Sequence, residues 1–365
     1  WYVPNNMAIC MSGDLDPDAT IALIDKYFGG LKPNPELPKL DLPKEAPITQ
    51  PVVKEVLGPD AESVALAWRF PGVSDKDFEI LQVVSQVLYN GKAGLIDLDL
   101  NQQQKVLNSY GYPMGLADYS AFILGGLPKQ GQTLEEVKDL LLNEIKKLRA
   151  GEFDEKMLQA NINNFKLYEL QSMESNEGRA DIFVNSFING TNWEDEVTAI
   201  DRMAKLTKED IVAFADKYLK EDNYAVVYKK QGKDPNEKKM TKPEITPIVS
   251  NRDVASPFLT SIQENAVKPI EPVFLDFKKD MSQLTAKSDI PVLYKQNTTN
   301  DLFQLIYVFD MGNNNDKALG TAFDYLEYLG TSDMTPEELK SEFYRLACTF
   351  YVSPGNERKI GRAHV

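Results

Sequence analysis

Apolar and polar positions along the chain switch repeatedly between a period near two and a period near 3.6, and the switches mark the expected elements. The unbroken run Met7-Ala8-Ile9-Cys10-Met11-Ser12 predicts a buried strand, with Gly13-Asp14 as the turn after it. Asp16 and Pro17 then read as N-cap and first helical residue. Ala19, Leu23, Ile24, Tyr27 and Phe28 share one face, and Gly29-Gly30 supplies the stop. Strands are expected near 52–57 and 62–70. Ser74 with Asp77 predicts the cap of a helix carrying Phe78, Leu81, Val84, Val87 and Leu88. Residues 105–128 read as two strands joined at Tyr112-Pro113 and ending at Gly125-Gly126. Thr133 and Glu136 form a capping-box pair ahead of the stripe Leu134, Val137, Leu141, Ile145 and Leu148. Helices follow to about residue 218, the last opened by Thr207 with Asp210. A strand from Tyr224 to Tyr228 closes the unit.

Two stretches interrupt this order. Six prolines fall between residues 33 and 51, which makes a semi-rigid extended joint. Gly232 to Val273 is polar and weakly periodic and reads as a longer linker. Beyond it, runs at 292–296 and 302–311 predict a hairpin with Asn297-Thr298-Thr299-Asn300 at its turn. Helices are expected at 316–329 and 335–350, the second opened by Thr335, Pro336 and Glu338. The last six residues, Ile360 to Val365, match the translation of a common sequencing adapter (ATC GGA AGA GCA CAC GTC) and are set aside as an artefact. Tyr2-Val3-Pro4-Asn5-Asn6-Met7-Ala8-Ile9 is echoed by Tyr218 to Val226, which implies tandem αβ units of domain length.

Composition changes the picture only by exclusion. Apolar residues make up 42% and charged residues 26% of the 365, so folded domains are expected. The net charge of −15 disfavours nucleic acid as a partner, because a phosphate backbone is repelled. The chain begins at Trp1 instead of Met, so it is expected to be an internal piece whose targeting signal lies elsewhere. Cys10 and Cys348 are far apart in sequence and read as small buried apolar residues.

His364 is the single histidine, and it lies in the suspect tail. A catalytic zinc usually takes at least one imidazole, and Ser/His or Cys/His nucleophile pairs need one as base. The reading therefore assigns no catalytic, cofactor-binding or metal residue in this chain, and no bound cofactor.

Trp1-Tyr2-Val3-Pro4-Asn5-Asn6-Met7-Ala8-Ile9, Gly13-Asp14-Leu15-Asp16-Pro17 and Tyr27-Phe28-Gly29-Gly30-Leu31 together resemble the end of the zinc domain in pitrilysin/insulinase-type peptidases. The resemblance continues through Trp68-Arg69-Phe70-Pro71-Gly72 and Leu206-Thr207-Lys208-Glu209-Asp210 to Asn223. It implies an α+β fold of tandem αβ domains, each an antiparallel-rich sheet covered by helices and here truncated at both ends. Residues 1–45 would finish the first domain and 46–232 form the second. Residues 233–274 would link the halves, and 275–359 begin the third domain. The function implied is that of a fragment of a zinc endopeptidase, or alternatively of a non-catalytic partner subunit. Zinc belongs to the parent, with its His-x-x-Glu-His motif ahead of Trp1. The implied partners are peptide or unfolded polypeptide, the other half of the same polypeptide and a second copy; the compartment is left open, with the resemblance leaning to the bacterial periplasm or cell envelope. The stretch Ala322 to Thr331 resembles the family's zinc helix with Asp324 and Tyr328 where histidines stand. Asp324 and Glu327 are thus the nearest approach to a cation site, and they read as a solvated face.

Overall fold

In a computed structural model, all residues are described except 40, 41, 236–240, 249, 251, 358 and 365. Two compact units result: residues 1–234 with 302–365, and residues 235–301.

The first unit is organised by one five-stranded sheet. β1 (Val52–Gly58), β2 (Ser63–Pro71), β3 (Asn108–Met114), β4 (Tyr119–Leu127) and β5 (Tyr224–Gln231) lie in the order β1-β5-β2-β4-β3. Only the β1–β5 pair is parallel, as a chain-closing strand can be; the others are antiparallel. β2 shows why the sheet folds as it does. Val64, Leu66, Trp68 and Phe70 alternate with partly exposed residues, and all four are buried.

That face is covered by α2 (Lys76–Leu88), α3 (Leu134–Arg149) and α8 (Lys208–Tyr218), with α4 (Lys156–Ser172) behind α2. The stripe of Leu134, Val137, Leu141, Ile145 and Leu148 on α3 is buried as its spacing predicts. Its capping box closes with Glu136 accepting from Thr133 N at 2.7 Å and Thr133 Oγ1 accepting from Glu136 N at 3.2 Å. The same device opens α8 through Thr207 and Asp210. Three further helices, α5 (Asn176–Asn189), α6 (Trp193–Val197) and α7 (Ala199–Met203), lead from α4 to α8.

Several local expectations shift. The cap of α2 is Asp75, whose carboxylate accepts from Asp77 N, and not Ser74. Pro113 lies inside β3 instead of at a turn; β3 is an edge strand, where a missing N–H costs no ladder bond. Gly125 and Gly126 do not end a strand. They sit within β4, where a Cβ on Gly125 would meet the Tyr110 ring at 2.2 Å and one on Gly126 would meet Val137 Cγ1 of α3 at 2.4 Å.

The N-terminal segment departs most from its reading. Residues 7–12 form no strand and are mostly exposed, because a strand needs a neighbouring ladder and none of the sheet's members pairs with them. α1 (Pro17–Phe28) does form, with Asp16 Oδ1 accepting from Ala19 N at 2.8 Å, yet it buries no residue. The echo between Tyr2–Ile9 and Tyr218–Val226 is therefore one of sequence, with β5 on one side and extended chain on the other.

The remainder of the first unit holds β8 (Gln304–Phe309), α10 (Leu319–Asp324), α11 (Pro336–Arg345), β9 (Thr349–Pro354) and β10 (Lys359–His364). The tail set aside in the sequence is thus paired: β10 lies between β8 and β9, because two open strand edges accept any extended backbone. α11 ends at Arg345 instead of running to 350, where Ala347 takes a φ of 50° and the chain turns into β9. In the second unit, α9 (Pro257–Gln263) is followed by β6 (Ser282–Thr285) and β7 (Pro291–Tyr294), which pair with each other. The expected hairpin across Asn297–Asn300 does not form, since β7 and β8 each take another partner. Alternation marks a strand without choosing its neighbour.

Candidate functional site

A heavily hydrogen-bonded part of the first unit is the loop from Tyr89 to Asp97, between α2 and a π-helical turn at Asp97–Gln102. Gly91 bends it with a φ of 78°, a conformation costly for other residues. Asp97 Oδ2 accepts backbone N–H bonds from Asn90 at 2.9 Å, Gly91 at 3.0 Å and Gly94 at 3.0 Å. Burial pushes its carboxyl up to about 6, and the loop N–H groups pull it back only in part. Asn90 Oδ1 accepts from Lys92 N at 3.1 Å and Ala93 N at 2.8 Å. The loop is therefore tied to itself at five N–H groups.

α11 docks beside this loop. Tyr344 is 1% exposed, and its hydroxyl faces Asn161 Oδ1 at 2.9 Å and Gln86 Oε1 at 3.2 Å. Its carbonyl accepts from Asn164 Nδ2 at 2.7 Å. Both asparagines are buried on α4, an unusual place for an amide unless a partner is supplied. Burial pushes the Tyr344 phenol well up, so it stays a neutral donor.

Two concavities flank the docked helix. One, of about 640 Å³, is floored by Val87, Ala93, Met157 and Tyr344 and rimmed by carboxylates including Asp99, Asp333 and Glu337. The other, of about 320 Å³, lies between Gly91-Lys92 and the segment from α10 to β9, with Phe323, Leu326, Leu339 and Phe343 among its walls.

Asp324 and Glu327 reach the second concavity, and both are solvent-exposed. The expected helix over 316–329 is broken there: α10 ends at Asp324 and a 3₁₀ turn, Tyr325–Tyr328, follows. Among the described residues no group of three or more His, Cys, Asp or Glu side chains is placed to hold a metal ion. With a single histidine in the sequence, the donors present do not fit a catalytic zinc.

Sequence reasoning missed Lys92, which lies in this second concavity. Its Nζ is buried and has no hydrogen-bond partner among the described residues. Burial pulls its ammonium below the usual lysine range, with the neighbouring Cys348 thiol acting weakly against that. Burial raises the Cys348 thiol, which keeps it protonated. The turn residues Asn90-Gly91 mark the loop in the sequence, but nothing local signals that the lysine after them turns inward.

Residues 1–165 match the family model described as peptidase M16 inactive domain. The zinc protease PqqE of Helicobacter pylori is 27% identical over 239 residues, covering 63% of this chain and 52% of the relative. The chain thus spans about half the length of that curated relative. A solved protease from Helicobacter pylori superposes with a TM-score of 0.56 at 22% identity over 60% of this chain and 54% of the other. A peptidase M16 inactive domain from Pseudomonas fluorescens does so with a TM-score of 0.51 at 16% identity, over 62% and 54%. The α+β architecture of a helix-covered sheet is that of these peptidase domains, and over residues 1–165 the chain is similar to the inactive domain of M16 (pitrilysin/insulinase-type) peptidases.

Proposed function

We propose that this chain is the non-catalytic part of a zinc endopeptidase that acts on peptides or unfolded polypeptide, furnishing chamber wall and the joint between halves. The observation that carries the reading is the match of residues 1–165 to the inactive peptidase domain, together with a relative named as a zinc protease, of which the matching region covers 52%. Within the chain, residues 46–232 make the complete second domain and residues 275–359 begin the third. The zinc motif and its general-base glutamate lie in a part of the parent outside this chain. The donors present here support that division, since Asp324 and Glu327 stand exposed without an imidazole beside them.

A second reading, a non-catalytic partner subunit of the same family, draws on the inactive character of the matched domain itself. The two part experimentally. Purified as given, the chain is expected to bind less than about 0.1 equivalent of zinc and to show no chelator-sensitive cleavage of an unfolded casein. Added to a segment of its parent carrying His-x-x-Glu-His, it should raise chelator-sensitive cleavage. Activity in the chain alone would overturn the proposal, and no gain on mixing would favour the partner-subunit reading.

A further inference from the structure

The smaller concavity beside α11 combines two features that the peptidase reading does not use. Its walls are apolar over most of their extent, through Phe323, Leu326, Leu339, Phe343 and Phe350. Lys92 lines it, and the Nζ of that lysine is withdrawn from water and lacks any hydrogen-bond partner among the described residues. An ammonium withdrawn from water and left unpaired costs several kcal/mol unless an anion joins it or the proton leaves.

Among the described residues no group supplies that anion. Cys348, the nearest titratable neighbour, is a buried thiol whose charged form burial disfavours. Asp324 and Glu327 line the cavity but are exposed, where solvent and salt screen them. Lys340 adds a second positive charge at the wall, and it is already satisfied: it donates to Gln102 Oε1 at 2.6 Å and lies 5.8 Å from the Tyr328 ring centroid. Asp97, the one buried carboxylate in the adjoining loop, spends its Oδ2 on three backbone N–H groups.

We propose that this cavity binds an organic carboxylate bearing an apolar group, with the Lys92 ammonium turning out of its sealed position to meet the carboxylate and the apolar part against Phe343 and Leu339. A volume of about 320 Å³ suits a ligand of one large side chain or a short acyl tail, and is small for a folded partner. The free C-terminus of a peptide ending in an apolar residue and a medium-chain fatty acid share this chemistry. The inference concerns the ligand class of the cavity and holds whether or not the parent cleaves peptides.

The test is titration of the purified chain with N-acetyl-leucine, N-acetyl-leucinamide and octanoate, followed by ligand-observed NMR. Lys92→Met is run beside it, keeping the stem while deleting the charge. At least one acid is expected to saturate below about 10 mM, with the amide at least about ten-fold weaker and Lys92→Met losing the acid's advantage. Tighter N-acetyl-leucine identifies a peptide end, and tighter octanoate an acyl chain. Lys92→Met should unfold at the same or a higher urea concentration, since it removes an unpaired buried charge. Equal binding of acid and amide, unchanged binding in the variant, or no saturation with either acid would each overturn the proposal.

Discussion

α1 and α3 are helices of the same kind with opposite fates. Each begins at a side-chain cap, Asp16 in one and Thr133 in the other, and each carries an apolar face at helical spacing. α3 buries its whole stripe against β2 and β4, whereas α1 leaves Ile21, Leu23, Tyr27 and Phe28 about half or more exposed. Caps and periodicity specify that a helix forms and which face is apolar. What that face contributes to stability depends on a partner surface, and only α3 has one here.

The largest expected effect comes from the buried stripe. Leu141→Ala removes a fully buried side chain from the centre of the core and should cost roughly 2–5 kcal/mol in urea unfolding. Leu23→Ala on α1 should stay within about 0.5 kcal/mol. Limited proteolysis reads the same contrast, with early cuts before residue 46 and a surviving piece ending near 232. A Leu23→Ala cost near that of Leu141→Ala would mean that α1 has a partner in solution.

The second test moves to the tied loop. The folded-state pKa of Asp97 lies near 6, above its ordinary value, so the folded chain holds that proton more tightly than the unfolded one. Stability from this group is therefore fully present below about pH 4 and is lost as pH rises through 6. The difference is on the order of 2–3 kcal/mol, and it should appear as a slope in the urea midpoint between pH 4.5 and 7, at about those limits. Asp97→Asn keeps an acceptor and should flatten that slope relative to the parent chain. An unaltered slope would assign the pH dependence elsewhere.

The smallest effect separates cap from face. Thr133→Ala deletes one side of a closed capping box and should cost about 1 kcal/mol in global unfolding. Asp16→Ala should melt α1 locally, seen as lost helical circular dichroism with an unchanged global midpoint. A global loss on Asp16→Ala would join α1 to the main cooperative unit.

The elements with strong local signals were legible in the sequence. The stripe of α3, the boxes at Thr133, Thr207 and Thr335, the Asp16-Pro17 start and the alternation in β2 are all set by interactions within a few residues. The same holds for the absence of a histidine set, which is a matter of composition. Pairing was not legible. β7 joins β6, β8 joins β10, and residues 7–12 pair with no described strand, because a strand's partner is chosen by edges far away in sequence.

The candidate site divides in the same way. Asp324 and Glu327 were found from their resemblance to a helix motif, yet their geometry is set by the change to a 3₁₀ turn at Tyr325. Tyr344 reads in sequence as one residue of an amphipathic helix; its hydroxyl meets Asn161 across 183 positions. Lys92 reads as a solvated loop lysine. It becomes a buried, unpaired cation only when α10, α11 and β9 close over the Gly91 bend, since burial belongs to the packed assembly and not to the residue.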